Sequence, residues 1–177
     1  MQVAKEYLDK EEIQIYHENK KIDGVEIINS NLFATYDGNF AEIIRYDEGK
    51  IPNVKQEFVI RQLNWSWVTQ GAIKAYHYHQ RQKDLWFCPP YDRLIVNLHD
   101  LREDSPTYDQ HQKLILGAGK NQILVIPEGV AHGCANPYEK PMTLFYAVTQ
   151  QFAPNDPDEH RLSWDCFGAQ VWEIEKG

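Results

Sequence analysis

The chain has 177 residues, 42% of them apolar and 12% aromatic, which suits one domain with a full-sized core and leaves little for a second. Its net charge is −8 with no basic run, which argues against nucleic acid or an anionic membrane as the main partner but not against a small anion held by a few local cations. Cys88, Cys134 and Cys166 are odd in number and without paired spacing, so they are read as free thiols of a reducing compartment. With no signal-peptide pattern and no apolar run of about 18 residues, the expected location is the cytoplasm.

Residues 1–24 are mixed and read as an N-terminal arm, in which 5–14 form a short helix or stay irregular. From Val25 the period becomes two, and residues 25–177 read as one domain. Strands are expected at 25–28, 32–35 and 40–46, with Tyr36-Asp-Gly-Asn39 as the turn between the last two. The segment 58–67 is a strong strand with Val59, Arg61, Leu63, Trp65 and Trp67 on one face. Its other face carries Gln62, Asn64 and Ser66, which suits either the wall of a polar pocket or a solvated surface. Further strands are expected at 72–78, 85–88, 94–99, 112–116, 122–126, 131–135 and 142–149. Residues 157–160 suit a small turn or helix, and 162–174, with Trp164 and Trp172, should pack back on the strands. Short strands with frequent turns and no intervening helices exclude βαβ units and leave a sandwich or barrel. The architecture expected is all-β, a double-stranded β-helix closed as a cupin or jelly-roll barrel, with the N-terminal arm and a short C-terminal extension.

Chemistry concentrates in Gly71-Ala-Ile-Lys-Ala-Tyr-His-Tyr-His79. Side chains two apart on a strand leave the same face about 6–7 Å apart, so His77 and His79 can enter one pocket while Tyr76 and Tyr78 face away. Ile126-Pro-Glu-Gly-Val-Ala-His-Gly133 brings a third imidazole, His132, behind a rigid turn. Two chemistries fit. Three histidines and a carboxylate, Asp84, make a divalent-metal set. Alternatively, one imidazole oriented by a carboxylate is a base near neutral pH. Tyr146 lies on an otherwise apolar strand face, where it is either a buried hydrogen-bonded phenol or, if it faces the pocket, an acid.

Several segments, in order, resemble the dTDP-4-dehydrorhamnose 3,5-epimerase family of sugar-nucleotide cupins. They are Phe33-Ala-Thr-Tyr-Asp-Gly-Asn-Phe-Ala-Glu42, Gln62-Leu-Asn-Trp-Ser66, Gly71 to His77, Asp100-Leu-Arg-Glu-Asp-Ser-Pro-Thr107, Ile126 to Gly133, Leu144-Phe-Tyr146 and Arg161-Leu-Ser-Trp-Asp165, with Trp172 near the end. The resemblance implies proton removal and return beside a C4 ketone, at C3 and C5 of a 4-keto-6-deoxy sugar nucleotide, with no metal or coenzyme. Carried over by position, His77 is the base, Asp165 (beside Cys166) its orienting carboxylate, and Tyr146 the acid on the opposite ring face. Gln62, Asn64 and His132 line the sugar pocket, and Lys74 takes the place of an arginine that meets the diphosphate. The resemblance also implies a homodimer whose early strands cross over, so that Phe40 and Glu42 complete the neighbour's pocket.

Three positions depart from the family pattern. Asp37-Gly38 stands for Arg-Gly, His79 for Gln, and Gln82-Lys-Asp-Leu-Trp86 for Gln-x-Lys-Leu-Val, which places Asp84 where the family has the lysine beside the enolate oxygen. Lys83 is adjacent, but an offset of one residue turns it to the other face. These changes suit a metal-dependent cupin isomerase or oxygenase built on His77, His79, Asp84 and His132. A carbohydrate-binding relative without catalysis is the third reading, since a fold does not dictate its chemistry.

Overall fold

Twelve strands form among residues 2–13, 20–47 and 50–174, the residues described in the computed structural model of the chain. They are β1 (Glu26–Asn29), β2 (Leu32–Thr35), β3 (Gly38–Ala41), β4 (Gln62–Val68), β5 (Ile73–Tyr78), β6 (Asp84–Phe87), β7 (Arg93–Asp100), β8 (His111–Gly117), β9 (Gln122–Ile126), β10 (Val130–Ala135), β11 (Met142–Val148) and β12 (His160–Arg161). A single helical turn, α1 (Lys5–Leu8), precedes them, and a 3₁₀ turn (Ala169–Trp172) follows. Gln14, the last residue of the expected helix, lies outside the described residues. Among the described residues, no helix is long and apolar enough to cross a membrane.

The all-β architecture forms, but the expected closed barrel does not. Every pairing is antiparallel and falls within one of two open five-stranded sheets, ordered β1-β9-β6-β11-β4 and β12-β5-β10-β7-β8, with β2-β3 a separate hairpin. Closure requires the two edges of a sheet to share hydrogen bonds. Here β1 and β4 end one sheet and β12 and β8 the other, and no ladder joins them among the described residues. The structure is a sandwich of two sheets.

Period two explains the packing. Trp86 and Cys88, Leu124 and Ile126, and Met142 and Leu144 point from the first sheet towards Leu94, Val96, Leu98, Val130 and Cys134 of the second. Ile22 joins this core. The alternate residues Leu85, Phe87, Ile123 and Val125 face outwards under Ile51 and Phe58. On the far side Tyr76, Ile95 and Ala131 pack beneath Leu162, Phe167 and Trp172, so the C-terminal segment covers the outer face of the second sheet. All three cysteines are free, Cys88 and Cys134 buried and Cys166 exposed.

The Asp100–Thr107 stretch fastens the chain start to the sandwich. The Asp100 carboxylate accepts from Arg102 Nε (2.7 Å), Ser105 Oγ (2.6 Å) and Thr107 Oγ1 (2.6 Å). Arg102 then donates to the Asp23 carbonyl at 2.7 Å, and Thr107 Oγ1 accepts the Asp23 N–H at 2.9 Å.

The β5–β10 pairing positions the site. His77 stands opposite His132, but Lys74 stands opposite Cys134, so the register shifts between them. Such an irregularity re-aims side chains: His77 and Lys74, three apart, both reach the inter-sheet cleft. Gly133 lies at the shift, where an added Cβ would collide with the Ala75 side chain and come within 2.8 Å of the Lys74 carbonyl. Gly133→Ala is therefore expected to destabilise the protein by about 1–3 kcal/mol through overpacking. Urea unfolding measures this, and an unchanged midpoint would mean that the strands part there without cost.

Candidate functional site

Both sheets contribute to one buried group. Asp84 opens β6 in the first sheet; His77 on β5, His79 just beyond it and His132 on β10 come from the second. One donor atom from each of the four lies within 4.8 Å of the others. Asp84 Oδ1 is 3.6 Å from His79 Nε2, and Asp84 Oδ2 is 3.6 Å from His132 Nε2. The His77 and His132 rings are 4.2 Å apart between centroids. Donors 2.0–2.2 Å from a shared divalent ion stand roughly 3–4 Å from each other, a range that holds the two 3.6 Å separations from Asp84.

The hydrogen bonds select the ligand form of two imidazoles. His132 Nδ1 donates to the Val130 carbonyl at 2.8 Å, and His79 Nδ1 donates to the Asp158 carbonyl. A neutral imidazole protonated at Nδ1 carries its lone pair on Nε2. In both residues that is the nitrogen facing Asp84. His132 Nε2 is buried and has no hydrogen-bond partner, a state that costs about 1–3 kcal/mol unless something accepts its lone pair. Ligand histidines are typically fixed in this way through the nitrogen that does not bind metal.

Asp84 is 2% exposed. Burial raises its carboxyl, while the N–H donors of Gln82 on one oxygen and Trp86 on the other favour its ionised form. Gln82 Nε2 donates to Asp84 Oδ1 at 2.8 Å and approaches His79 Nε2 at 3.2 Å. Trp86 Nε1 donates to Asp84 Oδ2 at 3.1 Å. Burial also lowers His77, with a further contribution from His132, to about 2, so this imidazole is neutral.

Two connected lobes open beside the group. They have volumes of about 430 and 460 Å³ and share His79, Gln82, Tyr146 and Glu159. Gln62 and Asn64 line the first; Ser66, Lys74, His77, Asp84 and Arg161 line the second. The polar face of β4 is thus a cleft wall. Lys74 Nζ donates to Ser66 Oγ at 2.5 Å. Tyr146 faces the cleft from β11, where burial, then Asp84 and Glu159, push its phenol up and keep it protonated.

Other expected positions lie elsewhere. Asp165 accepts a hydrogen bond from Ser163 and does not line the second lobe with His77. Phe40 and Glu42 are near the hairpin, exposed, with Glu42 paired to Arg45 at 2.8 Å. Lys83 points away from the cleft and donates to the Glu57 carbonyl at 3.1 Å. The sequence reading missed the parts played by Gln82, Trp86 and Asp158. The first two were legible: with Asp84 they recur at period two on one strand face. Asp158 comes from 79 residues beyond His79, and no local pattern marks it.

A two-sheet antiparallel sandwich with histidines and a carboxylate at one end of its inter-sheet space is a cupin arrangement. The chain belongs to the dTDP-4-dehydrorhamnose 3,5-epimerase family, whose model matches residues 19–173. It is 41% identical over 144 residues to the spore coat polysaccharide biosynthesis protein SpsL of Bacillus subtilis, covering 81% of this chain and 91% of that one. It is 29% identical over 159 residues to a probable low-salt glycan biosynthesis epimerase of Haloferax volcanii, covering 87% and 96% respectively. The crystal structure of dTDP-6-deoxy-D-glucose-3,5-epimerase from Legionella pneumophila, in complex with dTDP-4-keto-L-rhamnose, shares the fold with a TM-score of 0.73 at 24% identity, over 89% of this chain and 83% of that one.

Trp86→Phe keeps an aromatic ring, though a smaller one, and removes the only donor to Asp84 Oδ2 within hydrogen-bond distance among the described residues. It is expected to lower stability by about 1–3 kcal/mol, the cost of an unsatisfied buried charge acceptor. Guanidinium unfolding of the metal-free protein checks this, and an unchanged stability would show that the bond carries no weight.

Proposed function

We propose that this chain is a metal-dependent cupin isomerase acting on a keto sugar nucleotide, with His77, His79, Asp84 and His132 as the metal ligands. The observation that carries the reading is the convergence of the Nε2 atoms of His79 and His132 on Asp84, each with its other nitrogen committed to a carbonyl. The resemblance to the family places a lysine at position 84, beside the oxygen that becomes negative when a proton leaves the carbon next to the ketone. An aspartate there has the wrong sign for that task. A divalent ion at the ligand set would supply the missing positive charge by polarising the carbonyl oxygen. Tyr146, protonated and facing the same space, is placed to exchange a proton with the substrate. Lys74 and Arg161 are the cations of the second lobe and suit phosphate oxygens, while Gln62 and Asn64 suit sugar hydroxyls. Membership of an epimerase family and two curated relatives named for glycan or polysaccharide biosynthesis support a sugar-nucleotide substrate.

A metal-free reading, with His77 as base and Tyr146 as acid, is favoured by their sharing one lobe and by the neutrality of His77. It is weakened by Asp165, which bonds to Ser163 rather than to His77.

One experiment separates the two. Protein purified without chelator is expected to carry close to one divalent ion per chain. It should exchange deuterium from D₂O into a 4-keto-6-deoxy sugar nucleotide beside the ketone, lose that exchange on chelation and regain it with added ion. Undiminished exchange in fully chelated protein would overturn the metal reading in favour of the His77–Tyr146 pair.

We also propose a homodimer. Leu63, Trp65 and Trp67 present one exposed face of the edge strand β4, at 67%, 57% and 54% exposure, and Phe33 and Phe40 add exposed aromatic surface on the hairpin. Exposed aromatic surface of this kind suits association, and a second copy covering the hairpin would bring Phe40 and Glu42 towards its neighbour's cleft. Light scattering is expected to give about twice the 20.7 kDa chain mass; a monomer at micromolar concentration would rule the dimer out.

A further inference from the structure

We propose that Asp158 is a positioning residue of the metal centre, setting the tautomer of His79 from outside the ligand set; this rests on the metal reading above. Asp158 lies just before β12, 9% exposed at its side chain. Its carboxylate clamps the chain where it leaves β5: Oδ1 accepts the Gln80 N–H at 3.0 Å and Oδ2 accepts the Arg81 N–H at 2.7 Å. With its side chain held there, its own backbone carbonyl accepts from His79 Nδ1. That bond keeps the proton on Nδ1 and the lone pair on Nε2, 3.6 Å from Asp84 Oδ1. The other charged groups facing the Asp158 carboxylate are Arg81, with Nε 3.9 Å from Oδ1, and His160, with Nε2 3.6 Å from Oδ1.

The three histidines are supported differently. His132 takes its carbonyl from Val130, two residues back on its own strand, so its tautomer is set once β10 forms. His77 has no hydrogen bond from either ring nitrogen among the described residues. His79 depends on a segment 79 residues away. That segment docks through the pairing of β12 with β5, where His160 meets Tyr78 and Arg161 meets His77, through the stacked Tyr78 and His160 rings 5.0 Å apart, and through the Arg81–Asp156 ion pair at 3.0 Å. Asp158 is the member of this docking that hydrogen-bonds the ring of a ligand. It acts on the ion through His79 alone.

The test measures zinc affinity by competition with a chromophoric chelator, for the wild type, Asp158→Ala, Asp158→Asn, His79→Ala and the double variant His79→Ala/Asp158→Ala. Asp158→Ala should weaken zinc binding about 10–100-fold, the usual loss for an outer-shell partner of a ligand. Asp158→Asn keeps one acceptor oxygen and should lose less. In the His79→Ala background, Asp158→Ala should cost nothing further, because the residue through which it acts is gone. Additive losses in the double variant would mean a general structural role and overturn the proposal. So would wild-type affinity in Asp158→Ala or, should that variant not fold, in folded Asp158→Asn. Those results leave the metal reading intact, whereas a wild-type protein that binds no zinc or other divalent ion removes both.

Discussion

A negative charge held where water does not reach is the constraint on which the two sheets depend. Moving a carboxylate out of water costs several kcal/mol even after the surroundings relax, and Asp84 is almost wholly enclosed. Trp86 and Gln82 reach it from its own strand and turn, while His79 and His132 reach it from the opposite sheet. A displacement of an ångström or two between the sheets would draw His79 and His132 away from Asp84. The site thus fixes the register of the sandwich as much as the sandwich presents the site.

The period-two pattern carried most of this in advance. It placed His77 with His79 and opposed Gln62, Asn64 and Ser66 to Trp65 and Trp67, while the resemblance to the family marked Asp84 as a residue of the wrong sign. It could not reveal whether the sheets close. Alternation records which face of a strand is buried, and says nothing of which edges share hydrogen bonds. The shift between β5 and β10 was hidden for a related reason: Lys74 and His77 reach one cleft from positions three apart, which strict alternation forbids. Asp158 was out of reach because its contribution to His79 is a backbone carbonyl, an atom that every residue possesses.

The departure at position 84 also bears on how a family changes its chemistry while keeping its scaffold. A lysine brings its charge with it and needs only room and a developing anion. An aspartate and a histidine bring electron-pair donors instead. Around Asp84, Tyr146 faces the cleft, and Lys74 and Arg161 line the lobe beside it.

Strand β4 belongs to both the inside and the outside of the molecule. Its inward residues wall both lobes of the cleft, its outward residues are bare indoles and a leucine, and among the described residues only β11 holds it by a ladder. A strand is too stiff to twist one face without the other, since successive side chains leave the same backbone in opposite directions. Whatever settles on Trp65 and Trp67 therefore sets the attitude of Asn64 and Ser66. An exposed apolar face and a cleft wall share one mechanical element seven residues long, and free energy gained at its outer surface is felt in the cleft.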